Sequence, residues 1–261
     1  MLARQRQDAI LEQVAREGGA RVADLVERLG VSDMTIRRDI QVLAQRGLVT
    51  RVHGGAAVVS DHFTADEPEF KVKSALQLTE KRAIARAAAD LVEPGSSVAL
   101  SAGSTTYAVA QALCDVPRLT VITNSLPVAD MLHSSAPHDT SVVLIGGVRT
   151  RSDALVGPVA LAVLRDLHVD WLFLGVHGMD LRAGLTSPNM SEAETDRAMI
   201  ASAHRLVVVA DHSKWSVVGL AAIAPVSEVD ILVTDDKLPD PARRALEGQV
   251  GRLIVVSSDG D

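Results

Sequence analysis

The chain has 261 residues, 47% of them hydrophobic, 23% charged and 2% aromatic, with a net charge of −7. That composition fits one large or two ordinary globular domains and excludes wholesale disorder, and six aromatic side chains are too few for a single-strand nucleic-acid binder, which needs stacking platforms. No apolar run approaches the roughly 18 residues of a membrane helix, the N-terminus does not read as a secretory signal, and the lone Cys114 excludes an internal disulfide framework, so the expected compartment is the cytoplasm.

The charge is uneven. Residues 1–58 carry nine Arg and no Lys against seven Asp or Glu, a net of +2, whereas the remainder carries 17 basic and 26 acidic residues, a net of −9. A mildly basic head on an acidic body permits local DNA contact without establishing it.

Ile10, Leu11 and Val14 give a first short apolar stripe. Val22, Leu25, Val26 and Leu29 follow at i, i+3, i+4, i+7, one face of a helix that Gly30 can end. Ser32 is a good N-cap for a third helix, in which Ile36, Ile40 and Leu43 form the buried stripe. At about 100° per residue, Met34, Arg38, Gln41 and Gln45 lie opposite that stripe, with Thr35 and Arg37 on its flanks. This pattern predicts a helix-turn-helix whose Arg37 and Arg38 can reach guanine edges or phosphates in the major groove. Leu48 to Val52 alternates as a strand and His53-Gly54-Gly55 is a turn, which predicts a wing. On pattern alone, a small helical domain with a solvated arginine face stays open.

The blocks Val31-Ser32-Asp33-Met34-Thr35-Ile36-Arg37-Arg38-Asp39-Ile40 and Gly47-Leu48-Val49-Thr50-Arg51-Val52-His53-Gly54-Gly55-Ala56 resemble the DNA-binding head of the DeoR family of bacterial transcription regulators. The resemblance implies operator DNA as a partner and Ser32, Met34, Thr35, Arg37, Arg38, Gln41, Arg51, His53 and Gly54 as the DNA-binding set.

Residues 59–78 are polar and acidic and read as a linker between a head, 1–58, and a body, 79–261. Phe63 and Phe70 are expected to dock it by packing. From Thr79, a candidate helix cap, helices and strands alternate. The expected strands are 97–100, 119–123, 141–145, 170–175, 205–210, 230–234 and 252–257, and the expected helices 105–113, 126–134, 158–166, 192–203 and 239–247. Apolar runs of four to six residues separated by helices predict a mostly parallel α/β sheet covered on both faces.

Ligands of such folds bind at the carboxyl ends of strands. Strand 97–100 runs into Ser101-Ala102-Gly103-Ser104-Thr105-Thr106, whose backbone N–H groups and following helix suit a phosphate, although simple capping explains such a turn equally well. Other strand ends carry Thr123-Asn124-Ser125, Gly146-Gly147 with Arg149 and Arg151, Gly175-Val176-His177-Gly178, and Asp211-His212-Ser213-Lys214. Together they point to a pocket for a small, hydroxyl-rich, phosphorylated ligand.

These stretches resemble the sensor domain of the same family, similar in fold to ribose-5-phosphate isomerase, and the resemblance runs from about Arg4 to Val256. It implies a homo-oligomeric repressor of carbohydrate catabolism that leaves DNA on binding a phosphorylated sugar. Gly103, Ser104, Thr105 and Thr106 would hold the phosphate, Thr123, Asn124, Ser125, Gly146 and Gly147 would line the pocket, and Asp211 and Lys214 would face the sugar or phosphate. Arg149 and Glu194 complete the expected effector set. Ser101 stands where many members carry an acid, which leaves the choice of sugar open.

An isomerase with an added head is the alternative, with Glu194 and Lys214 cast as base and enediolate stabiliser. Against it, the stretch after the central strand, Gly175-Val176-His177-Gly178-Met179, holds no carboxylate before Asp180. Asp211-His212-Ser213 contains triad residue types, but triads are usually assembled from distant positions, and there is no Gly-x-Ser-x-Gly elbow. His133, His138 and His204 lack metal-ligand spacing, and neither a Walker loop nor a Gly-x-Gly-x-x-Gly turn is present. No catalytic residue, cofactor or metal is therefore expected.

Overall fold

The computed structural model describes residues 3–17, 19–45, 48–52, 54–57, 70–74 and 76–258. The chain divides into two units, Met1–His62 and Phe63–Asp261. Among the described residues, no helix is long and apolar enough to cross a membrane.

The first unit runs α1 (Ala3–Glu17), β1 (Gly19–Arg21), α2 (Val22–Leu29), α3 (Asp33–Gln45), β2 (Thr50–Val52) and β3 (Gly55–Ala57). Its core joins Ile10 and Val14 of α1, Val22 and Leu25 of α2, and Ile36, Ile40 and Leu43 of α3, the stripes expected from spacing. Gly30 ends α2 in the left-handed conformation (φ 64°) that the cap requires. Ser32 caps α3: its Oγ accepts from Thr35 N at 3.3 Å and lies 2.9 Å from Thr35 Oγ1. The wing is a three-stranded antiparallel sheet in the order β1-β3-β2, one strand more than the hairpin predicted. β1 is only Gly-Ala-Arg, too short for periodicity to reveal.

Among the described residues, the second unit begins with α4 (Phe70–Ser74), inside the stretch read as linker. The Phe70 ring meets Tyr107 edge-on at a centroid distance of 5.5 Å, the docking role expected of it; Phe63 lies outside the described residues. Then follow α5 (Leu78–Ala89), β4 (Ser97–Leu100), α6 (Ser104–Leu113), β5 (Thr120–Thr123), α7 (Leu126–Ser135), β6 (Ser141–Leu144), β7 (Val148–Arg149), β8 (Leu155–Val156), α8 (Pro158–Leu164) and β9 (Val169–Gly175). The chain continues through β10 (Gly178–Asp180), β11 (Gly184–Ser187), α9 (Met190–Ser202), β12 (Ala203–Val209), β13 (Ala221–Ala224), β14 (Ile231–Asp235), α10 (Asp240–Glu247) and β15 (Arg252–Val256). Thr79 is not the cap of α5; it lies within the first turn, and the cap position is Gln77, held at φ 51°.

Among the described residues, seven strands form one parallel sheet in the order β15-β14-β12-β9-β4-β5-β6. Both faces of the inner strands are buried, which is why they read as continuous apolar runs, whereas the edge strand β6 leaves Val143 and Leu144 exposed. Ala99, Leu172, Leu174, Val208 and Leu232 face a core completed by α8, α9 and α10. Their neighbours Val98, Leu100, Phe173, Val207 and Val233 face the opposite core, under α5, α6 and α7. A small antiparallel sheet, β10-β11-β13, and the ribbon β7-β8 were not foreseen.

Candidate functional site

β4 is the first strand of the sheet, yet it lies in the interior: the chain moves outward through β5 and β6, then returns to place β9 on the other side of β4. Strand order therefore reverses between β4 and β9, and a crevice opens beyond their carboxyl ends, the expected ligand position in an open α/β sheet. A pocket lies there. Ala102, Gly103, Ser104 and Thr105 line it after β4, Asn124 after β5, and Gly175, Val176 and His177 after β9.

Gly103 occupies the N-cap position of α6, and among the described residues no side chain caps it. The first-turn N–H groups and positive end of this ten-residue helix thus border the pocket and suit an anion. Lys214 and Lys73 add two cations to the lining. Lys214 sits at the end of a 3₁₀ turn, His212–Lys214, whose geometry is pinned twice. Asp211 accepts hydrogen bonds from the backbone N–H and the hydroxyl of Ser213, and Asp235 accepts from the His212 backbone N–H at 2.7 Å and pairs with its Nδ1 at 2.8 Å. The Asp235 hydrogen bond raises the His212 pKa despite burial. Burial pushes Asp235 up, but the hydrogen bonds and charge of His212 and the Lys237 amide together lower it below its ordinary value.

On α9, Glu192 and Asp196 bring carboxylates to the same pocket. Asn189 caps α9 by accepting from Ser191 N and Glu192 N, and the Ser152 hydroxyl donates to Glu192 Oε1 at 2.5 Å. Cations with free helix N–H groups on one part of the wall, and carboxylates with Asn124 and Ser187 on another, match a ligand with a phosphate and several hydroxyls.

Of the residues expected to bind effector, Gly103, Ser104, Thr105, Asn124 and Lys214 line the pocket and the others do not. Glu194 is exposed on the far side of α9, about 200° from Glu192, whereas Asp196 shares the Glu192 face. Helical phase, with Met199 buried on that same face, carried this signal. Thr106 turns back to donate to Gly103 O at 3.0 Å. Thr123 donates to Leu100 O at 2.7 Å and accepts from Ser125 N, while Ser125 caps α7. Asp211 is buried and positions Lys214 through the turn. Gly146 and Gly147 have positive φ, and a Cβ on Gly147 would stand 2.5 Å from Val156 O, so close packing explains that glycine. Arg149 is exposed and paired with Asp153. Ser101 is fully buried and accepts from Gly175 N at 3.0 Å; it joins the strands and does not face the pocket. His177 belongs to a strand end that the sequence pointed to, without a role assigned to it; Lys73, Glu192 and Asp196 line the pocket and were not among the expected residues.

In the first unit, Met34, Arg38 and Gln41 are exposed opposite the buried face of α3. Arg37 is also exposed and forms an ion pair with Asp33. Asp39, inside the Arg-Arg-Asp block, is buried and binds Arg6 Nε at 2.7 Å and Gln7 Nε2 at 3.2 Å, so it ties α3 to α1. Gly54 is exposed in the wing turn; the Arg51 side chain and His53 lie outside the described residues.

A winged helix-turn-helix unit joined to an α/β unit with a polar pocket at its switch point is the build of a ligand-responsive regulator. Residues 6–62 match the family model described as the DeoR-like helix-turn-helix domain, and residues 76–236 match the DeoR C terminal sensor domain. The chain is 39% identical over 260 residues to the uncharacterized HTH-type transcriptional regulator YgbI of Escherichia coli strain K12, covering 99% of this chain and 100% of that one. It is 34% identical over 236 residues to the glycerol-3-phosphate regulon repressor of the same strain, covering 90% of this chain and 92% of that one. Among solved structures, ribose 5-phosphate isomerase A from Methanocaldococcus jannaschii aligns with a TM-score of 0.39 at 19% identity, over 52% of this chain and 53% of that one. The chain belongs to the DeoR family of transcriptional regulators.

Proposed function

We propose that the protein represses a carbohydrate-catabolism operon in the cytoplasm and leaves its operator when a phosphorylated sugar or polyol occupies the switch-point pocket. The observation that carries this reading is the pocket itself: the uncapped start of α6, Lys214 and Lys73 can meet a phosphate, and Glu192 and Asp196 can meet hydroxyls. The Met34, Arg38 and Gln41 face of α3 supplies the base-reading surface, and Arg37 supplies phosphate or base contacts. The name of the glycerol-3-phosphate regulon repressor supports a phosphate ester as effector. Half-sites about 34 Å apart require at least a dimer. A switch also needs the effector to bind the DNA-free arrangement more tightly than the DNA-bound one.

Fluorescence anisotropy with labelled DNA from upstream of the protein's own gene tests this. Specific binding is expected that one of glycerol 3-phosphate, ribose 5-phosphate, fructose 1-phosphate or galactose 6-phosphate reverses and its unphosphorylated form does not. Equal, salt-sensitive binding to every sequence, the nonspecific phosphate contribution alone, overturns it.

A further inference from the structure

Lys73 lies between the two family matches, 6–62 and 76–236, on the stretch that leads in chain order from the first unit into the second. Its described residues, 70–74 and 76–77, lie against the second unit as a strap. Phe70 packs on Tyr107 at one end, and Gln77 turns the chain through a left-handed φ of 51° at the other. Between them, the buried Lys81 Nζ donates to Lys73 O at 2.6 Å and to Leu76 O at 2.7 Å. One ammonium thus closes the carbonyl end of α4 and holds the strap down.

Lys73 meanwhile lines the pocket with Lys214 and the Gly103-Ser104-Thr105 turn. Burial above all, and the nearby Lys214 and Lys73 charges, lower the Lys81 pKa to about 8 against the pull of Asp211. The three lysines therefore share one electrostatic neighbourhood at the edge of the anion site.

We propose that Lys73 directly contacts the anionic group of the effector, and that its carbonyl bond to Lys81 makes pocket occupancy set the conformation of the strap formed by α4, Leu76 and Gln77. The inference rests on the effector reading above and adds the route by which occupancy leaves the pocket. An anion drawn to Lys73 acts on a residue whose own backbone is the clamped element, so no relay through the sheet is needed.

The test uses the full chain, with inorganic phosphate followed by ³¹P NMR and the four phosphate esters by calorimetry. Amide hydrogen exchange across 70–81 is recorded with and without phosphate. Lys73→Gln is expected to weaken phosphate binding about tenfold or more, as loss of a charge-assisted hydrogen bond does, and to abolish the slowing of strap exchange that phosphate causes in the wild type. Lys73→Arg is expected to retain both. Wild-type affinity and wild-type slowing in Lys73→Gln, with binding lost only in Lys214→Gln, overturns the inference and leaves the effector reading standing. No binding of phosphate or of any ester by the wild-type chain overturns both.

Discussion

The backbone N–H of Gly175 donates to the hydroxyl of the fully buried Ser101 at 3.0 Å, locking the end of β9 to the end of β4. These are the two strands between which sheet order reverses, and the pocket begins within two residues of each end. Ser101→Ala leaves the Gly175 amide without this acceptor. The expected loss is about 1–3 kcal/mol of stability, with weaker effector binding because the Gly103 turn and His177 lose their common anchor. Both tryptophans, Trp171 and Trp215, belong to the second unit, so urea unfolding followed by tryptophan fluorescence reports that unit. An unchanged midpoint refutes the bracing role.

The His212–Asp235 pair makes stability depend on pH. His212 is raised above 6.5 in the fold, so its contribution is fully present below pH 6.5 and is lost as pH rises through the elevated folded value. Asp235 is lowered below 3.8, so its contribution is present above pH 3.8 and is lost as pH falls through the depressed folded value. The pair is therefore strongest between about pH 4 and 6.5. The stability gap between wild type and His212→Gln should be largest near pH 6 and shrink toward pH 9. A gap constant over that range contradicts the assignment.

Two neighbouring residues of α3 should separate reading from folding. Arg38 is exposed, and Arg38→Ala is expected to reduce operator affinity with little change in stability or in phosphate-ester binding. Asp39 is buried against Arg6, and Asp39→Ala removes that buried carboxylate from the guanidinium; a cost of about 3 kcal/mol to the first unit is expected. Circular dichroism melts with anisotropy distinguish the two. Equal destabilisation by both variants defeats the distinction.

On α9, Asp196→Asn is expected to change the ranking of the four phosphate esters, and Glu194→Gln to leave every affinity within twofold. Asp196 lines the pocket and Glu194 faces solvent. Calorimetric titration of both variants checks this, and the reverse ranking would restore the Glu194 assignment.

The parallel sheet was legible because burial on two faces leaves unbroken apolar runs such as Leu172-Phe173-Leu174 and Val207-Val208-Val209. β1, β10 and β11 were not, since Gly-Ala-Arg, Gly-Met-Asp and Gly-Leu-Thr-Ser are short and lack alternation. The location of the pocket followed from polar strand ends. Its lining did not, because a Ser or Thr at a strand end serves the backbone as readily as a ligand. Thr106, Thr123 and Ser125 make that local choice, whereas Ser104 and Thr105 line the pocket. Lys73 was hidden for another reason. It sits in the 59–78 stretch, whose acidic first half reads as linker, while the Lys81 clamp and the Phe70–Tyr107 contact hold its described part on the body.

That clamp bears on where such proteins can be cut and rejoined. A chimera that grafts this sensor onto a foreign DNA-reading head at residue 76, the start of the matched sensor region, discards Lys73 and leaves the Lys81 ammonium buried without one of its two carbonyl partners. The transplanted part would be incomplete even though every strand of the sheet came with it. A junction placed ahead of Phe70 keeps the lysine, the clamp and the aromatic contact on one piece of chain.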